Sequence, residues 1–358
     1  GSIMTENNAR SFSANLPGAY GLLPTKRFFE KNPLTVISSM FDKNTLISTF
    51  NDMKNFLLNN SFSVASSTNT QIPLLLNPYL LSKNETFHSN IDTWKPASST
   101  KVLSIFGWGN PTSEGLNYSR DPHCDNKTNN CDPIYSAKLT ESGDGTVITD
   151  SNSGNANSIL YFNLDMLNKE NLSSINHANI LESRQLQSKI IDTVKGNIST
   201  STKLDYEKYF SDVLPIDTKK YVDIKIFSPV DINIYNRQGR HTGLIYNSKV
   251  GQNIIDEEHN IPGAYYADFS GNKYVRLPYG DDYQIILSGN DAGTFIVQTD
   301  IVQYDKVIAS TTFSELPITP LTNVDFVLGT TTDSFASSTA MYIDIGGDGE
   351  TDLVGRPD

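Results

Sequence analysis

The chain has 358 residues, a length that divides into about two domains of ordinary size. Its formal net charge of −12 and pI near 4.9 argue against nucleic acid or an anionic membrane as partner, since both would repel it at long range. Apolar residues make up 37% and charged residues only 19%, so Ser, Thr and Asn carry the polarity, as in surface-exposed or secreted proteins.

No transmembrane segment is expected, because no stretch nears the ~18 uncharged apolar residues of a spanning helix. The N-terminal GSIMTENNAR lacks a basic region followed by an apolar one, so it is not a signal peptide. Either the protein is not exported, or the chain begins elsewhere than its gene does. From residue 34 to 92 the pattern is helical. Leu46, Phe50, Met53 and Leu57 recur at steps of three or four, and a second helix is expected from Asn77 to Ile91. Lys101–Gly107, KVLSIFG, is a nearly continuous apolar run ending in Gly, the pattern of a strand buried on both faces of a parallel sheet.

Cys124 and Cys131, the only cysteines, bracket a polar stretch. Two cysteines cannot build a structural zinc site, and His123 adds at most one ligand at the wrong spacing. The segment is expected to be a surface loop closed by a disulfide, worth about 2.5 kcal/mol for so short a loop, with two free thiols as the alternative. A disulfide implies an oxidising compartment, and with it an extracellular or cell-surface location. Ser158–Leu164, SILYFNL, reads as a second buried strand. After it, Ile180, Leu181, Leu186, Ile190, Ile191 and Val194 fall on one helical face that stops at Gly196. Helices alternating with buried strands predict an α/β sheet within residues 1–197.

After an expected linker over 198–220 the period changes to two. Val222, Ile224 and Ile226 alternate with Asp223 and Lys225, and KYVRLP, YQIILSG, TFIVQTDIVQ, KVIASTTF and NVDFVL follow with turn residues between them. Such a run of short strands predicts an all-β, immunoglobulin-like sandwich over 221–328. A Thr/Ser-rich linker and an acidic tail are expected over 329–358.

Gly143-Asp144-Gly145 is a tight turn that presents one carboxylate just before an apolar run, and His177 lies in the loop entering the helix predicted after SILYFNL. An Asp after one strand and a His after the next is how an α/β-hydrolase places the last two members of a Ser–Asp–His triad. Asp144 would fix the imidazole tautomer and stabilise the imidazolium, while His177 would act as general base and then acid. Alone, each signal fits an ordinary turn or an ordinary surface histidine. Their order, spacing and strand–helix setting point to chemistry.

The same segments carry a family resemblance. NLPGAYGLLPTKRFF (Asn15–Phe29), FHSNIDTW, VLSIFGWGNPT, GDGTV and NHANIL stand in the order seen in lecithin:cholesterol acyltransferase-like lipases, which are serine hydrolases of the α/β-hydrolase fold. The resemblance covers about Gly1 to Gly196. It implies that Asp144 and His177 match the family's acid and base. It also implies that the helices of 34–92 form a cap over an acyl-binding cleft, an apolar cover for a water-poor site. The implied substrate is a lipid or other carboxylic ester, with water or an alcohol as acceptor. The chain departs from the family in containing no G-x-S-x-G pentapeptide, the strand-to-helix elbow that holds the nucleophile beside an oxyanion-stabilising N–H. In the family the LPGAY-LLP segment follows that elbow. The serine is therefore expected upstream of Gly1, and this chain alone is expected to be inactive on esters.

FSPVDINIYNRQGRHTG (Phe227–Gly243), IPGAYY and DAGTF resemble immunoglobulin-like accessory modules of bacterial secreted and surface hydrolases. His241 and His259 are expected to be solvated loop or edge residues, and Tyr265 and Tyr266 to pack in a core rather than bind a sugar. Near the C-terminus, Asp344, Asp348 and Asp352 follow the calcium-loop pattern D-x-D-x-D-G with Gly346 where the second acidic ligand should stand. A polar turn is expected there, with weak Ca²⁺ binding as the alternative, and no other cofactor is expected. Two function classes follow: part of a serine esterase, lipase or acyltransferase, or a non-catalytic extracellular surface or adhesion protein that retains a hydrolase scaffold.

Overall fold

The computed structural model describes residues 6–31, 47–58, 76–122, 133–152, 158–196, 206–227, 229–246, 255–269, 271–304, 306–331, 335 and 340–358. Strand outweighs helix, and the chain divides into two compact units, one ending at Pro215 and the other running from Ile216 to Asp358. No helix among the described residues is long and apolar enough to cross a membrane. Cys124 and Cys131 lie outside the described residues, as do 34–46 and 59–75 of the expected cap.

The first unit opens with α1 (Glu6–Ser13), α2 (Pro17–Tyr20), α3 (Lys26–Lys31), α4 (Phe50–Leu57) and α5 (Pro78–Thr93). α4 begins at a reciprocal cap: the Thr49 hydroxyl accepts the Asp52 N–H at 3.1 Å, and Asp52 Oδ2 accepts the Thr49 N–H at 2.9 Å. α5 begins at Asn77, whose side chain accepts the Tyr79 N–H at 3.0 Å, with Pro78 presetting the first helical φ. Both helices fall where the apolar spacing predicts them. α4 buries Phe50 and Met53 in a cluster with Phe28 and Phe29 of α3.

The chain continues through β1 (Leu103–Trp108), the hairpin β2 (Thr112–Arg120) and β3 (Pro133–Thr140), β4 (Ser158–Asn163), α6 (Leu164–Asn171), α7 (Arg184–Lys195) and β5 (Phe210–Ser211). β1 and β4 pair in parallel, from Leu103 opposite Ser158 to Trp108 opposite Asn163. β5 adds antiparallel to β4, giving the order β1-β4-β5. Among the described residues β1 is thus an edge strand. Its first four residues are only half-buried, which differs from the two-sided burial that its apolar run predicts. α7 ends at Gly196 in the left-handed conformation, as predicted. Its apolar face, however, buries only Leu186, and Ile190, Ile191 and Val194 are exposed. The unit also extends past residue 197: Tyr209 is buried with Phe162, Leu164 and Leu186, and Phe210 stacks on Phe162 at 4.7 Å. Part of the expected linker is therefore core.

The second unit contains β6 (Lys220–Phe227), β7 (Val230–Asn236), β8 (His241–Tyr246), β9 (Ile255–His259), β10 (Tyr265–Phe269) and β11 (Asn272–Pro278). β12 (Asp282–Gly289), β13 (Gly293–Gln303), β14 (Lys306–Ile318), β15 (Asn323–Gly329), β16 (Met341–Asp344) and β17 (Leu353–Gly355) complete it. They form two antiparallel sheets, β10-β11-β6-β13-β14 and β17-β16-β15-β12-β7-β8-β9. Val222, Ile224 and Ile226 of β6 share one core with Ile232 and Ile234 of β7, Ile285 and Leu287 of β12, and Val324 and Phe326 of β15. This is a β-sandwich, built on the alternation that the sequence displays. It reaches beyond residue 328. Thr330, Phe335, Met341 and Ile343 are buried, and β16 pairs with β15, so the stretch expected as linker and tail supplies two strands of the larger sheet.

Polar side chains on the β6 sheet are paired across strands. Asp223 accepts two bonds from Arg276, at 2.7 and 2.8 Å. Asp300, 1% exposed, accepts from Lys225 Nζ at 3.0 Å, from Gln298 and from the Ser310 hydroxyl at 2.6 Å. His241 is buried rather than solvated, because its ring bridges neighbouring strands: Nδ1 lies 2.8 Å from Glu258 Oε2 and Nε2 lies 2.9 Å from Asn233 Oδ1. His259 stays exposed on β9, and Tyr266 is buried, with burial pushing its hydroxyl pKa up.

Candidate active site

Parallel strands place their carboxyl ends at one edge of a sheet, where α/β proteins gather reactive groups. Beyond β1 the chain runs through Gly109 and Asn110 into the β2–β3 hairpin, and it returns beside Asn110 as the Gly143–Val147 turn. The Asn110 N–H donates to the Gly143 carbonyl at 3.1 Å, a parallel bridge that stitches this turn to the end of β1. Two glycines make the approach possible. A Cβ at Gly143 would run into the Thr112 side chain, and Gly145 has φ +99°, which side chains rarely tolerate. Thr112 is fully buried behind the turn, where its Oγ1 accepts the Gly145 N–H at 2.9 Å and donates to the Asn110 carbonyl at 2.8 Å.

The Asp144 carboxylate divides its work between its oxygens. Oδ1 accepts the N–H groups of Thr146 at 3.1 Å and Val147 at 2.8 Å, which fixes the carboxylate plane. Oδ2 is left for His177 Nδ1, at 2.9 Å. The His177 N–H also donates to the Asp144 carbonyl at 2.9 Å, so backbone and side chain hold the same pair. The Asp144 side chain is 12% exposed and the His177 side chain 49% exposed. With Nδ1–H directed at the carboxylate, Nε2 keeps its lone pair, and this edge of the ring can take a proton from a hydroxyl and return it. Asp144 can stabilise the imidazolium formed in between. The spacing of the two residues thus becomes direct contact. Thr112 and Asn110, which support the turn, were not singled out by type or spacing. Their signal is two polar residues, Asn110 and Thr112, set just past the apolar run of β1.

Other candidates are not assembled in this way. Asp344 accepts the N–H groups of Gly347 at 2.6 Å and Gly349 at 2.8 Å, and Asp352 accepts that of Ile345 at 2.8 Å. Asp348 accepts the N–H of Glu350 at 2.9 Å. These carboxylates fold back on their own loop as a polar turn between β16 and β17. Among the described residues no cluster of three or more His, Cys, Asp or Glu could hold a metal ion. A cleft of about 420 Å³ lies between α3, α4 and α5, lined by Lys26, Phe29, Phe50, Lys54 and Glu85 among others, but not by Asp144 or His177. Glu85 bridges Lys26 at 2.6 Å and Lys54 at 3.1 Å there, and these cations, Lys26 foremost, hold its carboxyl below the usual glutamate range. Comparison of the chain with protein-family models, with curated proteins and with solved structures finds no match.

Proposed function

We propose that Asp144 and His177 are the acid and base of a serine-hydrolase triad acting on lipid or other carboxylic esters. In this reading the first unit is the later part of an α/β-hydrolase-like sheet, similar to lecithin:cholesterol acyltransferase-like lipases, with the nucleophilic serine supplied from sequence ahead of Gly1. The observation that carries the proposal is the 2.9 Å contact between His177 Nδ1 and Asp144 Oδ2, made by a carboxylate whose other oxygen is already fixed by backbone amides. The chain order acid then base, the parallel β1–β4 pair, the edge position of β1 among the described residues and the exposed apolar face of α7 all agree with it.

His177 Nε2 would draw the proton from the serine hydroxyl as it attacks the ester carbonyl. The same proton would pass to the leaving alkoxide, and water or an alcohol would then repeat the sequence on the acyl-enzyme. The β-sandwich would serve as an accessory module, and the protein would work outside the cell or at its surface. The test is an ester-hydrolysis assay on the protein extended upstream to include a G-x-S-x-G elbow. His177→Ala and Asp144→Asn should each lower kcat by about 10⁴-fold. Turnover unchanged by both substitutions would overturn the assignment of this pair, while no turnover above background in the extended protein, or upstream sequence without an elbow, would favour a non-catalytic surface protein instead.

A further inference from the structure

We propose that Asn168 is the positioning residue of the Asp144–His177 pair, an inference that rests on their assignment as acid and base. Asn168 lies within α6 and is 4% exposed. Asn is a poor choice for a helix interior, because its side chain competes for backbone hydrogen bonds, and a buried amide is costly unless it is satisfied. Here the amide is fully used. Oδ1 accepts the Ile175 N–H at 2.7 Å and the Ser173 hydroxyl at 3.0 Å. Nδ2 donates to the Ile175 carbonyl at 2.9 Å and to Asn110 Oδ1 at 3.5 Å. The side chain therefore pairs with both backbone groups of Ile175, two residues before His177, much as a neighbouring strand would.

Two further features make this the point that fixes the loop. The chain leaves α6 through Leu172 at φ +49°, a left-handed conformation that costs a leucine free energy and turns the chain back over its own helix. Residues 173–176 then form no helix or strand that could fix their path. Asn110 completes the connection: its Nδ2 donates to the Ile175 carbonyl at 2.9 Å and to the Asp144 carbonyl at 3.4 Å. The bonds run from α6 through Ile175 and Asn110 to the Asp144 turn, and they set the separation of turn and loop on which the Nδ1–Oδ2 contact depends. Asn168 bonds to neither reacting side chain and acts only through the loop.

The test is NMR on the chain with ¹⁵N-labelled histidine, reading the ring tautomer of His177 and the exchange of its Nδ1 proton with water. The native chain should show the Nδ1–H tautomer and slow exchange. In Asn168→Ala the ring should shift towards the Nε2–H form, with exchange faster by about tenfold, as loss of a buried hydrogen-bond restraint implies. Leu167→Ala, which removes a buried apolar side chain from the same helix, should leave the tautomer native, and that separates positioning from general loosening. Asn168→Asp keeps the acceptor oxygens, should fall between native and alanine, and decides the matter if the alanine variant fails to fold. Native behaviour in a folded Asn168 variant overturns the proposal, as does an Ile175 amide in the native chain that exchanges like a free loop. A native chain without the Nδ1–H tautomer would instead overturn the assignment of Asp144 and His177 as a pair.

Discussion

In the sandwich unit Val222, Ile224 and Ile226 of β6 are 1% exposed or less, whereas in the first unit Leu103–Phe106 of β1 are half-buried and Val194 of α7 is 82% exposed. The contrast follows from what each kind of strand requires. A sandwich strand needs one face covered, and the opposing sheet of the same unit provides that cover. A parallel α/β strand needs both faces covered and both edges paired, and among the described residues β1 has one paired edge. Among the described residues the sandwich strands thus have their apolar face covered, while β1 and α7 of the unit that holds the candidate site leave apolar side chains half-buried or exposed.

The contrast breaks most visibly at Phe295, which is fully buried in the sandwich core. Phe295→Ala should cost that unit about 3–5 kcal/mol in denaturant unfolding, and an effect below 1 kcal/mol would contradict a close-packed sandwich. Asp300→Ala comes next. It leaves Lys225 without its carboxylate and removes the acceptor of Ser310 and Gln298, so it should destabilise the same unit by about 3 kcal/mol. A neutral result would mean that this ion pair is no better than a surface one.

Acid should separate the units further. Glu85 has its pKa lowered by Lys26 and Lys54, so its stabilising contribution is fully present above the ordinary glutamate value and is lost as the pH falls through the depressed one. The helices around it should loosen in that window, followed by circular dichroism, and Glu85→Gln should remove the response at a cost of no more than about 1 kcal/mol at neutral pH. An unchanged acid transition in that variant would assign the loosening to other carboxylates. The smallest effect is expected at Ile191, which is 50% exposed. Ile191→Ser should change unfolding by less than about 0.5 kcal/mol while raising solubility, and a loss comparable to that at Phe295 would show that α7 is covered after all.

The same contrast explains what was legible in the sequence. The alternation of Val222, Ile224 and Ile226 placed those residues correctly, because a period of two needs only one covered face. The helices at Phe50–Leu57 and Pro78–Thr93 fall where helices were expected from the sequence, whereas the caps that start them, Thr49 with Asp52 and Asn77, were not read from it. α6 was hidden because the apolar run Ser158–Leu164 carries on into its first residue, although Asn163 at the junction caps the helix, accepting the Met166 N–H at 2.9 Å. The strands at Met341 and Leu353 were hidden by Asp- and Gly-rich surroundings that read as a tail. His241 was misplaced because its partners Glu258 and Asn233 come from neighbouring strands, a pairing that spacing along the chain does not display. Asp144 and His177 were found because a glycine-flanked carboxylate and a loop histidine follow successive strand-like runs. Asn110, Thr112 and Asn168 were not, since buried amide and hydroxyl support depends on tertiary contacts.

The most direct test of the account uses the chain as it stands. The proposal places the nucleophile ahead of Gly1, and a base and its carboxylate alone cannot form an acyl-enzyme, so the purified protein and its His177→Ala variant should hydrolyse a short-chain nitrophenyl ester at the same background rate. Robust turnover that His177→Ala abolishes would contradict the account, because it would require a nucleophile within these 358 residues.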